Sequence, residues 1–293
     1  MSDEADSRRR GSRLENSSGR TQGLGWPRPG HSPQKVASST VERRLMSRTE
    51  EARKEVSRSI DHYARDHPQL GVHSQDSRLL EAALRLVHGL PGLILDIGCG
   101  EGGTLMSLRQ RTEARPAIGV ELSAHRARIA ADKGLRVIVG DGDRLPMPDE
   151  CASLVISRHV IEHVENDVRS LEEIGRVLAP EGFLYLETPL RKKGAWYFYR
   201  NAANEWVLDP THKREYRSVQ GLESACLEAG LIPLYTNVGP IRFPLRHIIH
   251  RIISLNRPAS PRAAQKLDGA RAAVSVPRYR EIQLLARRRH PGE

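Results

Sequence analysis

The chain has 293 residues, of which 38% are hydrophobic and 4% aromatic, and its formal net charge is +10. This length suits one large α/β domain, but the low apolar content means that part of the chain must stay outside the core. The positive charge lies at the two ends, residues 1–60 and 241–293, while the middle is slightly acidic. A basic end can hold an anionic membrane surface or nucleic-acid phosphates, and it can equally be a solvated tail.

Cysteine usage and hydropathy predict the compartment. Cys99, Cys151 and Cys226 are far apart and form no Cys-x-x-Cys pair, which argues against a disulfide framework or a structural zinc site. The N-terminus lacks an apolar leader, and no apolar run reaches the roughly 18 residues of a membrane-spanning helix. We therefore expect a soluble cytoplasmic protein, with peripheral contact at the inner membrane face as a further possibility.

The first ninety residues precede the main pattern. Residues 1–40 are rich in Ser, Arg, Gly and Pro and lack apolar periodicity, so they are predicted to be a disordered basic tail. Residues 41–90 are predicted to hold two helices. The first helix covers about 41–66, and the second covers SRLLEAALRLVHGL and ends at Gly89.

From residue 91 onward, short apolar runs alternate with helical segments. The predicted strands are GLILDIG, PAIGVEL, LRVIVGD, ASLVISR and GFLYLETP. Ser123 and Ser218 are predicted N-caps of helices, Gly134 closes the first of these, and a further helix over DVRSLEEIGRVLAPEG is expected to stop at 180–182. This alternation predicts a parallel sheet covered on both faces, with ligands at the carboxyl ends of its strands.

The last part of the chain is predicted to close the sheet with a hairpin. Its strands are PLYTNVG (233–239) and REIQLLARR (280–288), so 240–275 is an insertion. Within it, apolar residues at helical spacing alternate with Arg and His over 243–255, which predicts an amphipathic basic helix. This helix could pack over the domain or contact a membrane surface. The predicted domain thus covers 91–289, with insertions at 190–216 and 240–275 and a tail at 290–293.

A glycine-rich stretch, LDIGCGEGG (95–103), follows the first predicted strand. Gly98, Gly100 and Gly102 would let a ligand approach the backbone at the start of the next helix. Gly98, Gly100 and Gly103 also satisfy the GxGxxG fingerprint of dinucleotide-binding proteins. The glycines alone therefore leave an NAD-type oxidoreductase open.

Three acidic residues select the cofactor. Asp96 would repel a pyrophosphate but attract an ammonium or sulfonium cation. Glu121 ends the second strand, where it can accept hydrogen bonds from ribose hydroxyls. Asp141 ends the third strand, where it can accept a proton from an adenine amino group. A ligand with an adenine, a ribose and a cationic amino-acid tail is S-adenosylmethionine.

The order of these motifs resembles the class I S-adenosylmethionine-dependent methyltransferases. The residues that carry the resemblance are LDIGCGEG, IGVELS, VGDGDRLPMPDE, HVIEHV and RVLAPEGFLYLETP, within about 90–240. It implies an α/β, Rossmann-like sheet of seven strands in the order 3-2-1-4-5-7-6, with strand 7 antiparallel and helices on both faces. The cofactor site that it implies consists of Asp96, Gly98, Cys99, Gly100, Gly102, Glu121, Leu122, Asp141, Gly142, Asp143 and Arg158.

The stretch HVIEHV (159–164) follows the fourth strand. On a helix, His159, Glu162 and His163 would share one face. Small-RNA terminal 2′-O-methyltransferases hold a divalent cation here with a Glu-x-x-Glu-His stretch and a later histidine, to which Glu162, His163 and His212 could correspond. Because His159 replaces the first Glu, we assign no metal ligand and expect Glu162 and His159 to support His163.

The predicted catalytic residues are two histidines. DPTHKREY (209–216) resembles an Asp-x-x-His-x-x-x-Tyr/Phe element of these enzymes, which implies that His212 lies over the sulfonium beside His163. Histidine suits a general base because its unperturbed pKa lies near neutrality. We assign the base to His163 first and to His212 second.

The acceptor is predicted from the insertion at 190–216, which holds six of the chain's aromatic residues. Such a segment can line a pocket for an apolar or ring-bearing acceptor, or pack on itself as a lid. We expect methyl transfer to a hydroxyl of a small molecule, a glycan or a lipid-linked intermediate. The alternatives are a metal-dependent RNA 2′-O-methyltransferase with nucleic acid as its partner, and a non-catalytic binding protein of the same fold.

Overall fold

The fold was described from a computed structural model of the chain. The described residues are 77–111, 115–193, 211–244 and 273–290, with the shorter pieces 58, 61, 199–200, 204, 206–209 and 292–293. All of them belong to the unit Glu51–Glu293. The predicted tail at 1–40, most of the predicted helix at 41–66 and most of the insertion at 240–275 lie outside these residues.

One seven-stranded sheet organises the domain. Its strands, numbered in chain order, are β1 (Leu93–Ile97), β2 (Ala117–Glu121), β3 (Val137–Val139), β4 (Ala152–Arg158), β5 (Leu178–Leu190), β8 (Leu231–Pro244) and β9 (Ala273–Arg288). They lie side by side in the order β3-β2-β1-β4-β5-β9-β8. Strand β9 runs antiparallel to both β5 and β8, whereas the first five strands are parallel. The predicted order and the antiparallel last strand are therefore confirmed. The short strands β6 (Tyr199–Arg200) and β7 (Trp206–Val207) pair with each other.

The described helices are α1 (Arg78–Leu86), α2 (Gly103–Arg111), α3 (Ala124–Asp132), α4 (Asp167–Val177) and α5 (Val219–Glu228). Four of them begin at a residue whose side chain accepts a hydrogen bond from a backbone N–H of the first turn: Ser77, Ser123, Asn166 and Ser218. Such caps satisfy N–H groups that have no partner inside the helix. No helix in the described ranges is long and apolar enough to span a bilayer.

Two boundaries differ from the prediction. Helix α4 ends at Val177, because Leu178 already pairs with Ala152 as the first residue of β5. Strand β8 continues to Pro244, which pairs with Ala273 of β9. The two ends of the expected insertion are thus paired with each other as parts of β8 and β9. Residues 243 and 244 therefore cannot belong to the predicted amphipathic helix. The rest of that helix lies outside the described residues.

The core lies on both faces of the sheet. Strand β4 is buried at all seven positions, as expected for a central parallel strand. On one face, Leu171 and Ile174 of α4 pack on the sheet, and on the other face Leu80 of α1 and Leu108 of α2 do so. The two covered faces leave the carboxyl ends of β1, β2, β4 and β5 to form the site.

Candidate functional site

The loop between β1 and α2 follows a path that only glycine allows at two positions. Gly98 has a φ of +65°, and a Cβ there would lie 2.3 Å from the Val160 side chain. Gly102 has a φ of +87°, and a Cβ there would lie 2.2 Å from Leu135. The left-handed backbone and the close contacts therefore bring the loop directly against the neighbouring segments at the end of β1.

Glu121 fastens this loop to β2. One carboxylate oxygen accepts a hydrogen bond from the backbone N–H of Gly100 and the other from that of Ser123, each at 2.8 Å. The side chain is buried at the end of its strand. A carboxylate has about four lone-pair positions, so two remain for other donors. Its predicted binding of ribose hydroxyls is compatible with this geometry and stays a prediction.

Asp96 is a buried carboxyl beside the glycine loop, and its Oδ2 atom has no hydrogen-bond partner. Burial raises the pKa of Asp96 to about 7; Glu121 adds to the rise and Arg158 opposes it. Arg158 offsets only part of the effect of burial, so a further cation beside Asp96 would favour its ionised form. Asp96 and the glycine loop therefore fit a cofactor with a cationic group.

The other predicted cofactor residues surround this loop. Leu122 is half-buried immediately after β2. Asp141 accepts a hydrogen bond from the backbone N–H of Asp143 at 3.0 Å, and the carbonyl of Gly142 accepts one from Ser170. Cys99 is buried, and burial raises the pKa of its thiol, which keeps it protonated. The cofactor roles of these residues stay predictions.

Arg158, at the end of β4, forms a buried ion pair that the sequence did not predict. Its Nε donates to Glu187 Oε2 at 2.6 Å, and both side chains are almost fully buried. Burial would lower the pKa of Arg158, but Glu187 raises it above its usual value. The hydroxyl of Tyr185 also donates to Glu187. The Nε donor of Arg158 is thus directed at a neighbouring strand of the sheet. The cofactor role of Arg158 stays a prediction.

The HVIEHV stretch is a turn and not a helix. His159 has a φ of +54°, and residues 161–163 form the turn that follows. The imidazole of His159 lies between two carboxylates, with Nδ1 3.3 Å from Glu162 and Nε2 3.3 Å from Glu281. Burial would lower the pKa of His159, but the two carboxylates raise it to about 10. His159 is therefore an imidazolium at neutral pH.

Glu162 is fully buried and ionised. Thr188 donates a hydrogen bond to its Oε2 at 3.1 Å, while Oε1 makes only the ion-pair contact with His159. Burial would raise the pKa of Glu162, but His159 and the two other nearby histidines lower it to about 2. The carboxylate stands between the His159 cation and the pair formed by His163 and His212.

His163 is held as a neutral imidazole. Its Nδ1 lies 3.0 Å from the hydroxyl of Thr211, whose proton is donated to Asp209 at 2.6 Å. Burial would raise the pKa of Asp209, but hydrogen bonds from Thr211 and the nearby histidines lower it. Since the ionised Asp209 can only accept, the Thr211 hydroxyl must accept from Nδ1–H, and Nε2 of His163 carries the lone pair. Burial lowers the pKa of His163 below its ordinary value of 6.5.

His212 lies next to His163, with ring centroids 4.9 Å apart and planes at 71°. It is buried, and its Nδ1 is 2.7 Å from Glu215 Oε1. Burial would lower the pKa of His212, but Glu215 and nearby carboxylates raise it. The structure thus places the two predicted catalytic histidines together with pKa values shifted in opposite directions, which is a typical arrangement of an acid–base pair.

Among the described residues, two groups of side chains could hold a metal ion. In the first, Glu162, His163 and His212 each offer one ligand atom, and these atoms lie within 4.8 Å of one another. The second consists of His159, Glu187 and Glu281, and its atoms are already engaged in ion pairs. The first group fits a metal better, because Thr211 and Glu215 hold the Nδ1 atoms of the two histidines, although Oε1 of Glu162 is shared with His159.

Several site residues were not predicted from the sequence. Asp209 and Thr211 lie in the same octapeptide as His212. A hydroxyl and a carboxylate beside a candidate base could have indicated hydrogen-bond partners for that base. Glu187 follows the apolar run FLYL in β5, where a charged residue indicates a buried partner. Glu281 reaches the site only because β9 inserts between β5 and β8, which no local pattern reveals.

Comparisons with known proteins show which proteins the chain is similar to. A family model described as a methyltransferase domain matches residues 95–186. A dimethylglycine N-methyltransferase of Parasynechococcus marenigrum is 32% identical over 138 residues, which make up 43% of this chain and 49% of the relative. A malonyl-[acyl-carrier protein] O-methyltransferase of Halorhodospira halophila is 31% identical over 153 residues, 48% of this chain and 52% of the relative. The chain spans about half the length of these curated relatives.

A solved structure shows the same fold. It is a putative sarcosine dimethylglycine methyltransferase from Galdieria sulphuraria, with a TM-score of 0.51 and 18% sequence identity. The similarity covers 72% of this chain and 83% of that chain. At this identity the likeness extends to the fold alone.

The buried pair of Arg158 and Glu187 yields a stability prediction. Arg158→Leu should lower the free energy of unfolding by about 3–5 kcal/mol, because it leaves a buried carboxylate without its cation. Lys213→Gln is the control, since Lys213 pairs with the exposed Glu165 and should change stability by less than about 1 kcal/mol. Urea denaturation followed by circular dichroism measures both. A loss from Arg158→Leu no larger than that of the control would contradict the pairing.

Proposed function

We propose that this chain, which belongs to the class I S-adenosylmethionine-dependent methyltransferase family, transfers a methyl group from S-adenosylmethionine to a hydroxyl of a small molecule, a glycan or a lipid-linked intermediate. The observation that carries the proposal is the neutral His163, whose Nδ1 proton is fixed by Thr211. This imidazole lies in the loop that packs against the glycine motif through Val160. A free imidazole nitrogen beside a cofactor loop is suited to take the proton of an acceptor hydroxyl.

The cofactor supplies a methyl group that its sulfonium already activates. In the proposal, the glycine loop and Asp96 hold its cationic amino-acid end, and Glu121 accepts hydrogen bonds from its ribose. Asp141 accepts from its adenine. The burial of Asp96 and Glu121 keeps water away from these contacts and strengthens them. The chain's main task is then to bring acceptor and methyl group into line and to exclude water.

Proton removal is assigned to Nε2 of His163. A positioned base contributes roughly 10²–10⁴-fold to such a step. Burial disfavours the charged form of His163 before the reaction, and the neighbouring His212 adds to this effect because like charges repel. Once His163 has taken a proton, the Glu162 carboxylate stabilises the new positive charge. His212 thus favours the neutral form of His163, and Glu162 favours its charged form.

Hydroxyl and nitrogen acceptors make different demands on this site. The relatives named above include both an O-methyltransferase and an N-methyltransferase. A neutral amine has its own lone pair and can attack without a base, whereas a hydroxyl gains much more from losing its proton. The fixed tautomer of His163 favours the hydroxyl.

Cofactor binding is the first prediction of this proposal. S-adenosylhomocysteine should bind the full chain, and Glu121→Ala should weaken binding about tenfold or more, because ribose contacts and the hold on the glycine loop are both lost. Isothermal titration calorimetry measures the affinity. Glu172→Ala, at an exposed position of α4, is the control and should bind like the wild type. The absence of any binding to the wild-type chain would reject the enzyme proposals.

The second prediction concerns the base. His163→Ala should lower the turnover number by about 10²–10⁴-fold while cofactor affinity is kept. In the wild type, turnover should fall as the pH drops through the pKa of His163, which lies below 6.5, because the protonated ring cannot accept a proton. Transfer of labelled methyl groups to a library of hydroxyl-bearing acceptors provides the assay. Unchanged turnover in His163→Ala would reject the base role, and a library without any acceptor would favour the non-catalytic alternative.

A metal-dependent RNA 2′-O-methyltransferase is the second candidate. The observation that favours it is the convergence of Glu162, His163 and His212 within 4.8 Å. Imidazole and carboxylate ligands suit a divalent transition metal or zinc, and such an ion would polarise a ribose hydroxyl. The contacts of Nδ1 with Thr211 in His163 and with Glu215 in His212 would orient both rings toward the ion.

Chelation separates the two candidates. The base mechanism predicts that activity survives prolonged treatment with EDTA and that Glu162→Gln lowers turnover without changing metal content. The metal mechanism predicts that EDTA abolishes activity, that manganese or zinc restores it, and that Glu162→Gln releases the metal. Metal content is measured by atomic emission before and after treatment. Full activity in a verified metal-free enzyme would exclude the second candidate.

A further inference from the structure

The segment formed by Asp209 and residues 211–216 braces the turn that carries Glu162 and His163. We infer that Arg214 is a positioning residue of the site, which holds this turn so that His163 keeps its orientation and tautomer. The inference rests on the proposed role of His163 and adds a residue that acts through it. Arg214 itself donates to backbone carbonyls of the turn and has no proposed contact with the acceptor.

The guanidinium of Arg214 donates to carbonyl groups on both sides of the two functional residues. Nη1 donates to Ile161 at 3.1 Å and to Val164 at 2.6 Å, while Nη2 donates to Glu165 at 2.6 Å. The backbone N–H of the neighbouring Lys213 donates to the carbonyl of Glu162 at 2.8 Å. Lys213 and Arg214 together thus donate hydrogen bonds to four backbone carbonyls of the turn.

These contacts matter because the turn has no regular structure of its own. Residues 161–165 are neither helix nor strand, so their carbonyls lack the partners that a helix or a ladder would give. An arginine suits this role because its planar fork carries five donors in fixed directions. A lysine has a single ammonium on a flexible stem and cannot reproduce this set.

Arg214 is in turn oriented by the start of α4. Its Nε lies 3.4 Å from Asp167 Oδ2, and the hydroxyl of Tyr216 donates to the same oxygen at 2.7 Å. Asp167 is the first residue of the helix and follows the N-cap Asn166. The guanidinium is therefore fixed at one side by a helix start and at the other by the turn.

The same segment supplies the partners of the two imidazoles. Thr211 and Asp209 fix Nδ1 of His163, and His212 lies against its ring. A shift of the turn relative to the segment would break the contact between Thr211 and His163. Because displacements of about 1 Å can cost about 100-fold in rate, a small movement is enough to matter. Arg214 holds the turn and the segment in fixed relative positions.

The test compares Arg214→Lys with the wild type, both saturated with S-adenosylhomocysteine. Nitrogen-15 NMR of the His163 ring should show a protonated Nδ1 and a free Nε2 in the wild type, and a mixture of both tautomers in Arg214→Lys. Amide hydrogen exchange in 161–165 should become about tenfold faster. Affinity for S-adenosylhomocysteine should stay within about twofold. In Arg214→Ala, added guanidinium ion should restore the wild-type ring signals.

Lys213→Gln is the matched control, because its backbone N–H remains and only an exposed ion pair is lost. If Arg214→Lys does not fold, Asp167→Asn removes the orienting carboxylate and should give the same mixture of tautomers. Wild-type ring signals and exchange rates in the folded variant would overturn the inference. A chain with these Arg214-dependent signals but no methyl transfer to any acceptor would reject the proposed function and still support the placement of Arg214.

Discussion

The buried carboxylate of Glu162 is the constraint on which the acceptor side of the site depends. An ion of this kind loses several kcal/mol of solvation on burial, so it persists only beside a cation and hydrogen-bond donors. His159 provides the cation and Thr188 the donor. His159 in turn needs Glu281 at its second nitrogen, which requires the antiparallel β9 beside β5. The topology of the sheet and the charge of the site are therefore coupled.

The two halves of the site use different physical means. The cofactor half depends on backbone conformation, since positive φ angles at Gly98 and Gly102 bring the loop against its neighbours. The acceptor half depends on buried charge, since burial and nearby carboxylates together set the pKa of each histidine there. Carboxylates raise the pKa values of His159 and His212 against burial, whereas Nδ1 of His163 meets a hydroxyl and a carbonyl and burial lowers its pKa. The three nearby histidines can therefore have different roles in the site.

Local patterns predicted most of the fold. Apolar runs, serine N-caps and glycine stops are read over a few residues, and they correctly indicated the strands of the large sheet and four of the helices. The strand order was implied by the resemblance and not by these local patterns. The helical spacing of HVIEHV was misleading. Strand β4 passes directly into a left-handed His159, and the carbonyls of the following turn take their donors from Lys213 and Arg214, about fifty residues later. No local pattern reveals such partners.

The same reason explains which parts of the site escaped sequence reasoning. Asp96 and Glu121 lie near the carboxyl ends of their strands and His163 follows β4, so these residues could be grouped because parallel strands end at one edge of the sheet. Glu187 and Arg158 come from neighbouring strands but meet through side chains, and Glu281 arrives on the last strand of the chain. Their contacts depend on the packed structure. Protonation states depend on it as well, because burial and charge together decide them.

The central claim is that the buried site shifts the pKa values of three neighbouring histidines differently, strongly upward for His159, downward for His163 and upward for His212. A titration of their ring nitrogens by NMR, from about pH 5 to pH 9 with S-adenosylhomocysteine bound, tests it most directly. The account predicts that His159 stays protonated throughout, that His163 titrates below its ordinary value of 6.5, and that His212 titrates above it. A protonated His163 at neutral pH, or a neutral His159, would contradict the account.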